Sequence, residues 1–325
     1  MKNKINNISK NNLCEDIKKK SEKYEELFYQ SMRIRMVEEK IIELYPSDLI
    51  QSPVHLSIGQ EAVAVGICTN LKVDDWVFIN YRGHAFYLAK GGPMPEFFAE
   101  LMGKKNGLSK GKAGSMHLAS PKQGIMGASA VVGSTVSHAV GAALVSKIKN
   151  EKRIFVANFG DGALEQGVLH ESLNFASLYK VPTLFLCEDN NLAVHSPKLE
   201  RQSFSLKTLI SSYDIPFYEI KEGYDFIRIQ QKSKIAIDHV RDTCGPVFLK
   251  INTARYKEHV GPGEDFSAGY RNESDIDKWK KLDPLITDKK MYAKFSEKIN
   301  NEIENAVRFG IESSFPNRED LLSDV

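Results

Sequence analysis

Residues 154–191 read IFVANFGDGALEQGVLHESLNFASLYKVPTLFLCEDNN, and this stretch predicts one strand–helix–strand unit. Residues 154–159 and 183–187 are short apolar runs, which is typical of buried strands. The segment between them, from about residue 164 to residue 179, is long enough for a crossover helix. A strand, a helix and a second strand in this order predict two parallel strands joined by a βαβ crossover.

Further strands are predicted on both sides of this unit. Residues 76–79 form a short apolar run that ends in polar residues, and residues 247–252 follow a glycine and a proline. A helix of small residues is predicted at 136–147. Strands that alternate with helices favour an α/β fold with a doubly wound, mostly parallel sheet. Ligands of such sheets bind outside the carboxyl ends of the strands.

Helical extensions are predicted at both ends of the chain. Apolar residues between Tyr24 and Tyr45 recur mostly at helical spacing among charges, and the segment after Asp283 predicts a helical tail. Residues 1–22 are rich in Lys, Asn and Glu and predict a solvated lead-in. Residues 103–114 are rich in Gly, Lys and Ser and predict a loop. Because no repeat or linker interrupts the chain, residues 23–325 predict a single α/β domain.

The composition argues against several classes of function. The 44 Lys and Arg residues balance 42 Asp and Glu residues, so no broad basic field exists to hold nucleic acid or an anionic membrane. No uncharged apolar run approaches the roughly 18 to 20 residues of a membrane span. The 4 cysteines stand singly, which argues against a disulfide framework or a thiolate zinc site. We expect a cytoplasmic protein that acts on a small molecule.

Polar residues follow two of the predicted strands. Gly160-Asp161-Gly162 ends the first strand of the crossover unit, and Asn190 lies just past the second. If the strands are neighbours, both polar side chains reach one place. A carboxylate and an amide oxygen suit Mg²⁺ that also binds phosphate, and the glycines let a diphosphate approach backbone N–H groups. Each motif alone is also typical of an ordinary turn, so the prediction depends on the pair.

Six short motifs occur in a fixed order along most of the chain. They are HLSIGQEA (55–62), YRGH (81–84), GKAGSMH (111–117), GDGA (160–163), NFA (174–176) and DP (283–284). In this order they resemble the thiamine diphosphate family, specifically the alpha subunits of pyruvate, branched-chain 2-oxo acid and acetoin dehydrogenases. The resemblance implies an enzyme that decarboxylates a 2-oxo acid and transfers the acyl group to a lipoyl carrier.

The resemblance also implies which residues hold the cofactor. Asp161, the Asn190 side chain and the backbone carbonyl of Leu192 would ligate Mg²⁺. The diphosphate and the aminopyrimidine of thiamine diphosphate would be bound by Tyr81, Arg82, Arg255, Gly160, Gly162, Ala163, Ala130, Val132 and His259. Guanidinium and phenol donors suit a diphosphate. His55, His84 and His259 would line the reaction centre, because imidazole passes protons near pH 7.

The resemblance further implies a partner chain. In members with two kinds of subunit, the glutamate that activates the cofactor belongs to a beta subunit, and Glu61 matches an alpha-subunit motif instead. We therefore expect an α2β2 assembly, no activity without the beta subunit, and docking to a lipoyl acyltransferase.

Other interpretations stay open at this stage. One rival is an acetoin-type dehydrogenase or carboligase, which passes the intermediate to a different acceptor. Another is a nucleotide-binding protein, suggested by the Gly/Lys-rich residues 107–112, although Asn106 and Ala113 depart from the phosphate-loop pattern. A binding-only relative is disfavoured because the metal pair, arginines and histidines are all present. His195 either meets a polar substrate or caps a loop.

Overall fold

The structure, a computed structural model, describes residues 2–323, with side chains described from residue 21 onward. Its strands are β1 (Trp76–Asn80), β2 (Ile125–Ser129), β3 (Phe155–Gly160), β4 (Thr183–Asp189), β5 (Leu192–Ala193), β6 (Ser196–Pro197), β7 (Phe217–Ile220) and β8 (Val247–Asn252). The main sheet has the order β2-β1-β3-β4-β8-β7, and all its neighbours pair in parallel. Only the small β5-β6 hairpin is antiparallel among the described strands.

Helices cover both faces of the sheet. They are α1 (Lys2–Leu44), α2 (Glu61–Cys68), α3 (His84–Ala89), α4 (Met94–Leu101), α5 (Ser134–Ile148), α6 (Gly167–Tyr179), α7 (Leu206–Ser211), α8 (Phe226–Thr243), α9 (Glu273–Lys280), α10 (Pro284–Thr287) and α11 (Lys289–Glu312). No helix within the described residues is long and apolar enough to cross a membrane.

Alternation along the strands builds the two halves of the core. On β3, Phe155, Ala157 and Phe159 pack with α5 and α6, whereas Val156 packs with the larger cluster formed by α1, α2, α8 and α11. Successive side chains of a strand point to opposite faces, so the apolar residues of β3 are buried on both sides of the sheet. The predicted doubly wound α/β fold is confirmed.

The predicted crossover unit is confirmed with one correction. The sequence predicts a helix at 164–179, but the structure has a separate 3₁₀ turn at Asp161–Glu165, and α6 begins only at Gly167. Asp161 is the first residue of this turn and directly follows β3, as the sequence predicts. The predicted helix at 136–147 and strand at 247–252 correspond to α5 and β8.

The predicted terminal helices are also present. Helix α1 covers the predicted residues 24–45 almost entirely and packs on α11, and α10 and α11 form the predicted tail. The solvated lead-in predicted for residues 1–22 concerns side chains that lie almost wholly outside the described residues. The single domain predicted for residues 23–325 stays a prediction.

The Gly/Lys-rich loop at 103–114 surrounds a buried carboxylate. Glu100, which is 1 % exposed, accepts hydrogen bonds from the backbone N–H groups of four loop residues. These donors are Ser109 (2.8 Å), Gly111 (3.0 Å), Ala113 (2.7 Å) and Gly114 (3.0 Å). The amide groups that could have cradled a phosphate are thus occupied by a side chain of the same protein, which disfavours the nucleotide-binding alternative.

We expect Glu100→Gln to destabilise the fold by about 2 to 4 kcal/mol, because the amide turns an N–H group toward backbone donors and leaves them unpaired. Urea unfolding of the purified chain measures this change. Glu96→Gln on the same helix is the control and should change the free energy of unfolding by less than about 0.5 kcal/mol. Equal stabilities of the two variants would contradict the role assigned to Glu100.

Candidate active site

A cavity of about 290 Å³ opens at the carboxyl ends of β1, β3 and β4. The residues predicted to ligate a metal, Asp161, Asn190 and Leu192, all line it. So do most residues predicted to bind the cofactor, namely Tyr81, Arg82, Val132, Gly160, Gly162, Ala163 and His259. A cleft that can hold a small molecule therefore lies at the edge of the sheet that the sequence predicts as the ligand site.

The pairing of β3 with β4 explains why the acid and the amide meet. Gly160 stands opposite Glu188 in the parallel register, so Asp161 and Asn190 follow directly from adjacent strand ends. Asn191 has a φ of 66°, and the Asn190 Oδ1 accepts a hydrogen bond from the Leu192 N–H at 3.0 Å. This tight turn brings the Asn190 side chain and the Leu192 backbone to one side of the loop.

Asp161 is a buried carboxylate with one oxygen engaged and one free. Its side chain is 1 % exposed, and Oδ2 accepts a hydrogen bond from Arg201 Nη2 at 2.6 Å. Within the described part of the chain, Oδ1 has no hydrogen-bond partner. Burial, together with the nearby charge of Asp189, raises the pKa of Asp161 to about 6. Because an unpaired buried carboxylate oxygen is costly, this atom suits a bound cation.

Asp161 has few acidic or imidazole neighbours that could share a metal. Among the described residues, no group of three or more His, Cys, Asp or Glu side chains is placed to hold a metal ion. A cation at Asp161 would therefore draw its other ligands from amide, carbonyl, water or phosphate oxygens. Mg²⁺ accepts such a mixed oxygen set, whereas zinc sites favour Cys and His.

The lining of the cavity also carries positive charge. Arg82 is buried, and it donates from Nη1 to the Leu56 carbonyl at 2.7 Å and from Nη2 to the His259 carbonyl at 3.0 Å. Burial, with the charge of Arg255 second, lowers the pKa of Arg82 to about 10. Two buried guanidinium groups repel each other, and this repulsion raises the free energy of the site. An anionic ligand nearby would therefore be favourable.

Arg255 lines an adjoining cleft and not the cavity that Arg82 and Asp161 line. That cleft, of about 560 Å³, shares Asn190 and Leu192 with the first cavity. Arg255 Nη2 donates to Asp265 at 3.0 Å and to the Tyr270 hydroxyl at 2.9 Å. The structure thus brings Arg255 close to the predicted metal ligands, with part of its guanidinium already engaged by protein groups.

Of the predicted histidines, His259 lines the cavity, and His55 packs against it but is not among the cavity residues. The His55 ring centroid lies 4.6 Å from Tyr81 and 5.2 Å from His259. Burial, with the charge of Arg82 second, lowers the pKa of both His55 and His259 to about 3. Both imidazoles are therefore neutral near pH 7.

The other predicted histidines lie away from the cavity wall. His84 is fully buried, with Nδ1 3.1 Å from Glu38 Oε2 and Nε2 2.7 Å from Ser115 Oγ. His195 is exposed, and its ring centroid lies 4.7 Å from that of Tyr270. Ala130 is exposed and is also not among the cavity residues, whereas Val132 is.

Several cavity residues were not predicted from the sequence. Gln60 and Glu188 line the wall, and Gln60 Nε2 donates to Glu188 Oε1 at 3.3 Å. A glutamate inside an otherwise apolar strand was a usable signal for Glu188. Arg201, which binds Asp161 from 40 residues away, belongs to none of the six motifs, so the sequence carries no comparable signal for it.

The fold and the cleft define an α/β protein with a cavity at the carboxyl edge of a doubly wound parallel sheet. Residues 29–317 match the family described as "Dehydrogenase E1 component". The chain belongs to this family.

Curated relatives agree with this assignment. The chain is 33 % identical to the alpha subunit of an acetoin:2,6-dichlorophenolindophenol oxidoreductase of Bacillus subtilis, over 92 % of each chain. It is 36 % identical to the pyruvate dehydrogenase E1 alpha subunit of Rhizobium meliloti, over 79 % of this chain and 74 % of that one. For the corresponding subunit of Zymomonas mobilis the identity is 32 %, over 92 % and 87 %. The resemblance predicted from the sequence motifs, including the alpha-subunit and oxidoreductase assignment, is confirmed.

Proposed function

We propose that this chain is the alpha subunit of a thiamine diphosphate- and Mg²⁺-dependent enzyme that decarboxylates a 2-oxo acid and passes the acyl group to a lipoyl carrier. The observation that carries the proposal is the unpaired, buried Oδ1 of Asp161, in a cavity wall shared with Asn190 and Leu192. Family membership supports the same chemistry.

The residues that line the cavity would hold the metal and the diphosphate. Asp161, Asn190 and the Leu192 carbonyl would bind Mg²⁺, while Tyr81 and Arg82 would donate to phosphate oxygens. Gly162 and Ala163 would add backbone N–H groups from the 3₁₀ turn. Arg255 would contribute from the adjoining cleft, and Ala130 and Val132 would hold the aminopyrimidine. The bound cofactor supplies a carbon nucleophile and a place for the electrons that decarboxylation releases.

His259 is arranged to donate a hydrogen bond. Arg82 Nη2 lies 3.5 Å from its Nδ1, and a guanidinium only donates, so Nδ1 is the acceptor. The neutral ring then carries its proton on Nε2, which offers a donor to an anionic group in the cleft. His55, packed at right angles to it, would complete this polar face. His84 stays a predicted catalytic residue, held behind the wall by Glu38 and Ser115.

Exposed apolar side chains lie at the cavity and on the two helices α5 and α6. Val131 and Val132 are 68 % and 41 % exposed, and they lead into α5. The outer faces of α5 and α6 then expose Val145, Ile148, Phe175, Leu178 and Tyr179. Exposed apolar side chains of this kind are typical of a protein interface. The beta subunit would dock here, bringing its activating glutamate to the cofactor. The family resemblance implies an α2β2 assembly, and the cytoplasmic location stays a prediction from the composition.

The proposed function is tested by assaying 2-oxo acid decarboxylation with the chain alone, with its beta subunit, and with a lipoyl domain added. We expect turnover only when both subunits are present, because the resemblance assigns the activating glutamate to the beta subunit, and acyl transfer only when the lipoyl domain is present. Full turnover by the chain alone, or no decarboxylation by the assembled subunits with any 2-oxo acid, would refute the proposal.

One comparison supports an alternative in which a dye, and not a lipoyl carrier, is the acceptor. The acetoin oxidoreductase relative, whose name specifies a dye acceptor, matches over 92 % of each chain. Acetoin-dependent reduction of 2,6-dichlorophenolindophenol by the assembled subunits, without acyl transfer to a lipoyl domain, would favour this alternative.

A further inference from the structure

Arg201 connects three parts of the metal loop region. Its Nη2 donates to Asp161 Oδ2 at 2.6 Å, and its Nη1 donates to both carboxylate oxygens of Glu165 at 2.7 and 2.6 Å. Its Nε donates to the Ser196 carbonyl at 3.1 Å. The side chain is 13 % exposed, so these contacts are largely shielded from water. One guanidinium therefore fixes the turn after β3 to the β5-β6 hairpin.

The charges in this arrangement balance locally. Glu165 takes two hydrogen bonds from Arg201, so the pair presents little net charge to a cation held by Asp161. Arg201 itself has no acceptor and cannot ligate a metal. Its contact with Asp161 also uses only Oδ2, which leaves Oδ1 turned to another partner.

We propose that Arg201 is a positioning residue of the metal site. By holding Asp161 through Oδ2, and by being neutralised and oriented by Glu165, it presents Asp161 Oδ1 to Mg²⁺ in a fixed direction. This inference depends on the proposed function, since it requires Asp161 to be a metal ligand. Outer-shell partners of metal ligands typically contribute about 10- to 100-fold in metal affinity.

Gln202 supports the same arrangement from the next position. Its Nε2 lies 3.3 Å from the Asp161 carbonyl and also donates to Glu165. The carboxylate of Glu165 is thus held by two residues of the same loop. Removing Arg201 would leave Asp161 free to rotate and Glu165 with an uncompensated charge beside the site.

The test is the affinity for Mg²⁺, measured by calorimetric titration of the full chain assembled with its beta subunit, with thiamine diphosphate saturating. Arg201→Met is expected to weaken Mg²⁺ binding by about 10- to 100-fold. Arg201→Lys keeps a positive charge but cannot contact Asp161, Glu165 and Ser196 together, so it should give an intermediate loss. Arg228→Met is the matched control, since Arg228 is 46 % exposed and pairs with Glu222, and it should leave the affinity unchanged.

The inference would be overturned by results from either Arg201 variant. Wild-type or tighter Mg²⁺ binding by Arg201→Met would show that Arg201 has no positioning role or competes with the metal. Wild-type binding by Arg201→Lys would show that charge alone suffices. If Arg201→Met does not fold, as judged by its thermal midpoint without metal, Arg201→Lys and Glu165→Gln decide instead, and both should weaken Mg²⁺ binding.

Asp161→Ala in the same titration separates the inference from the proposed function. Loss of Mg²⁺ binding in Asp161→Ala, with unchanged binding in the Arg201 variants, would overturn only the role of Arg201. Unchanged binding in Asp161→Ala would overturn the metal site itself and the inference with it.

Discussion

Asp161→Ala is expected to abolish Mg²⁺-dependent binding of thiamine diphosphate. The substitution removes the charged ligand of the proposed site, and Asn190 and the Leu192 carbonyl are neutral groups that cannot replace it. The fold should persist, because Arg201 keeps its contacts with Glu165 and Ser196. Calorimetric titration with thiamine diphosphate, with and without Mg²⁺, measures the effect, and no Mg²⁺-dependent heat should appear at concentrations that saturate the wild type.

The control for this variant is Asp238→Ala. Asp238 is 47 % exposed and pairs with Lys234 on the outer face of α8, so its removal should leave cofactor binding unchanged. Asp161→Asn keeps the shape of the side chain but loses the charge, and it too should bind far more weakly. Cofactor titrations of Asp161→Ala that match the wild type would contradict the proposed site.

Arg35→Met is expected to lower the free energy of unfolding by about 3 to 5 kcal/mol, because it leaves buried carboxylates without their counter-charge. Arg35 is buried and contacts Glu61 through two of its nitrogens, and its Nη2 donates to Asp283 at 2.9 Å. Tyr256 also donates to Asp283, at 3.2 Å. Urea unfolding, followed by far-ultraviolet circular dichroism, measures the loss.

Arg33 provides a matched control two positions away on α1. It donates to Glu302 at 2.6 Å, but the Glu302 side chain is 38 % exposed. Pairs of this kind contribute at most about 1 kcal/mol, so Arg33→Met should be only slightly destabilising. If Arg35→Met and Arg33→Met lower the free energy of unfolding equally, the buried ion pairs of Arg35 contribute no more to stability than the more exposed pair of Arg33.

The ion pairs of Arg35 with Glu61 and Asp283 also stabilise segments that carry candidate site residues. Glu61 accepts a hydrogen bond from the Gly59 N–H at 2.9 Å, and Gly59 has a φ of +93° with the Ala254 carbonyl pressed against it. This close approach, which a side chain at Gly59 would prevent, fixes the segment that carries His55 against the segment that leads to Arg255. The HLSIGQEA motif thus has a structural role in addition to the role proposed for His55.

The parts of the fold that the sequence predicts are those set by local pattern. Strands β3, β4 and β8 are mostly apolar and almost wholly buried, so their residue types identify them. Strand β2 contains Gly127 and small residues, and β7 is a short edge strand with an exposed glutamate, so neither has such a pattern. Their places in the sheet come from tertiary pairing, which local propensity does not encode.

The residues of the candidate site also fall into two groups, those that local sequence pattern predicts and those that only the folded chain reveals. Asp161 and Asn190 follow strands that are neighbours in sequence, so the crossover rule is enough to bring them together. Arg201 reaches Asp161 across 40 residues, and His84 meets Glu38 across 46, through contacts that depend on the packing of whole elements. Such long-range hydrogen bonds are visible only in the folded chain.

The central claim is most directly tested by a crystal structure of the chain with its beta subunit, thiamine diphosphate and Mn²⁺ in place of Mg²⁺. The anomalous signal of manganese should locate one ion bonded to Asp161 Oδ1, the Asn190 side-chain oxygen and the Leu192 carbonyl, with Arg201 still on Asp161 Oδ2. An ion bound elsewhere, or a diphosphate bound while Asp161 makes no metal contact, would contradict the account.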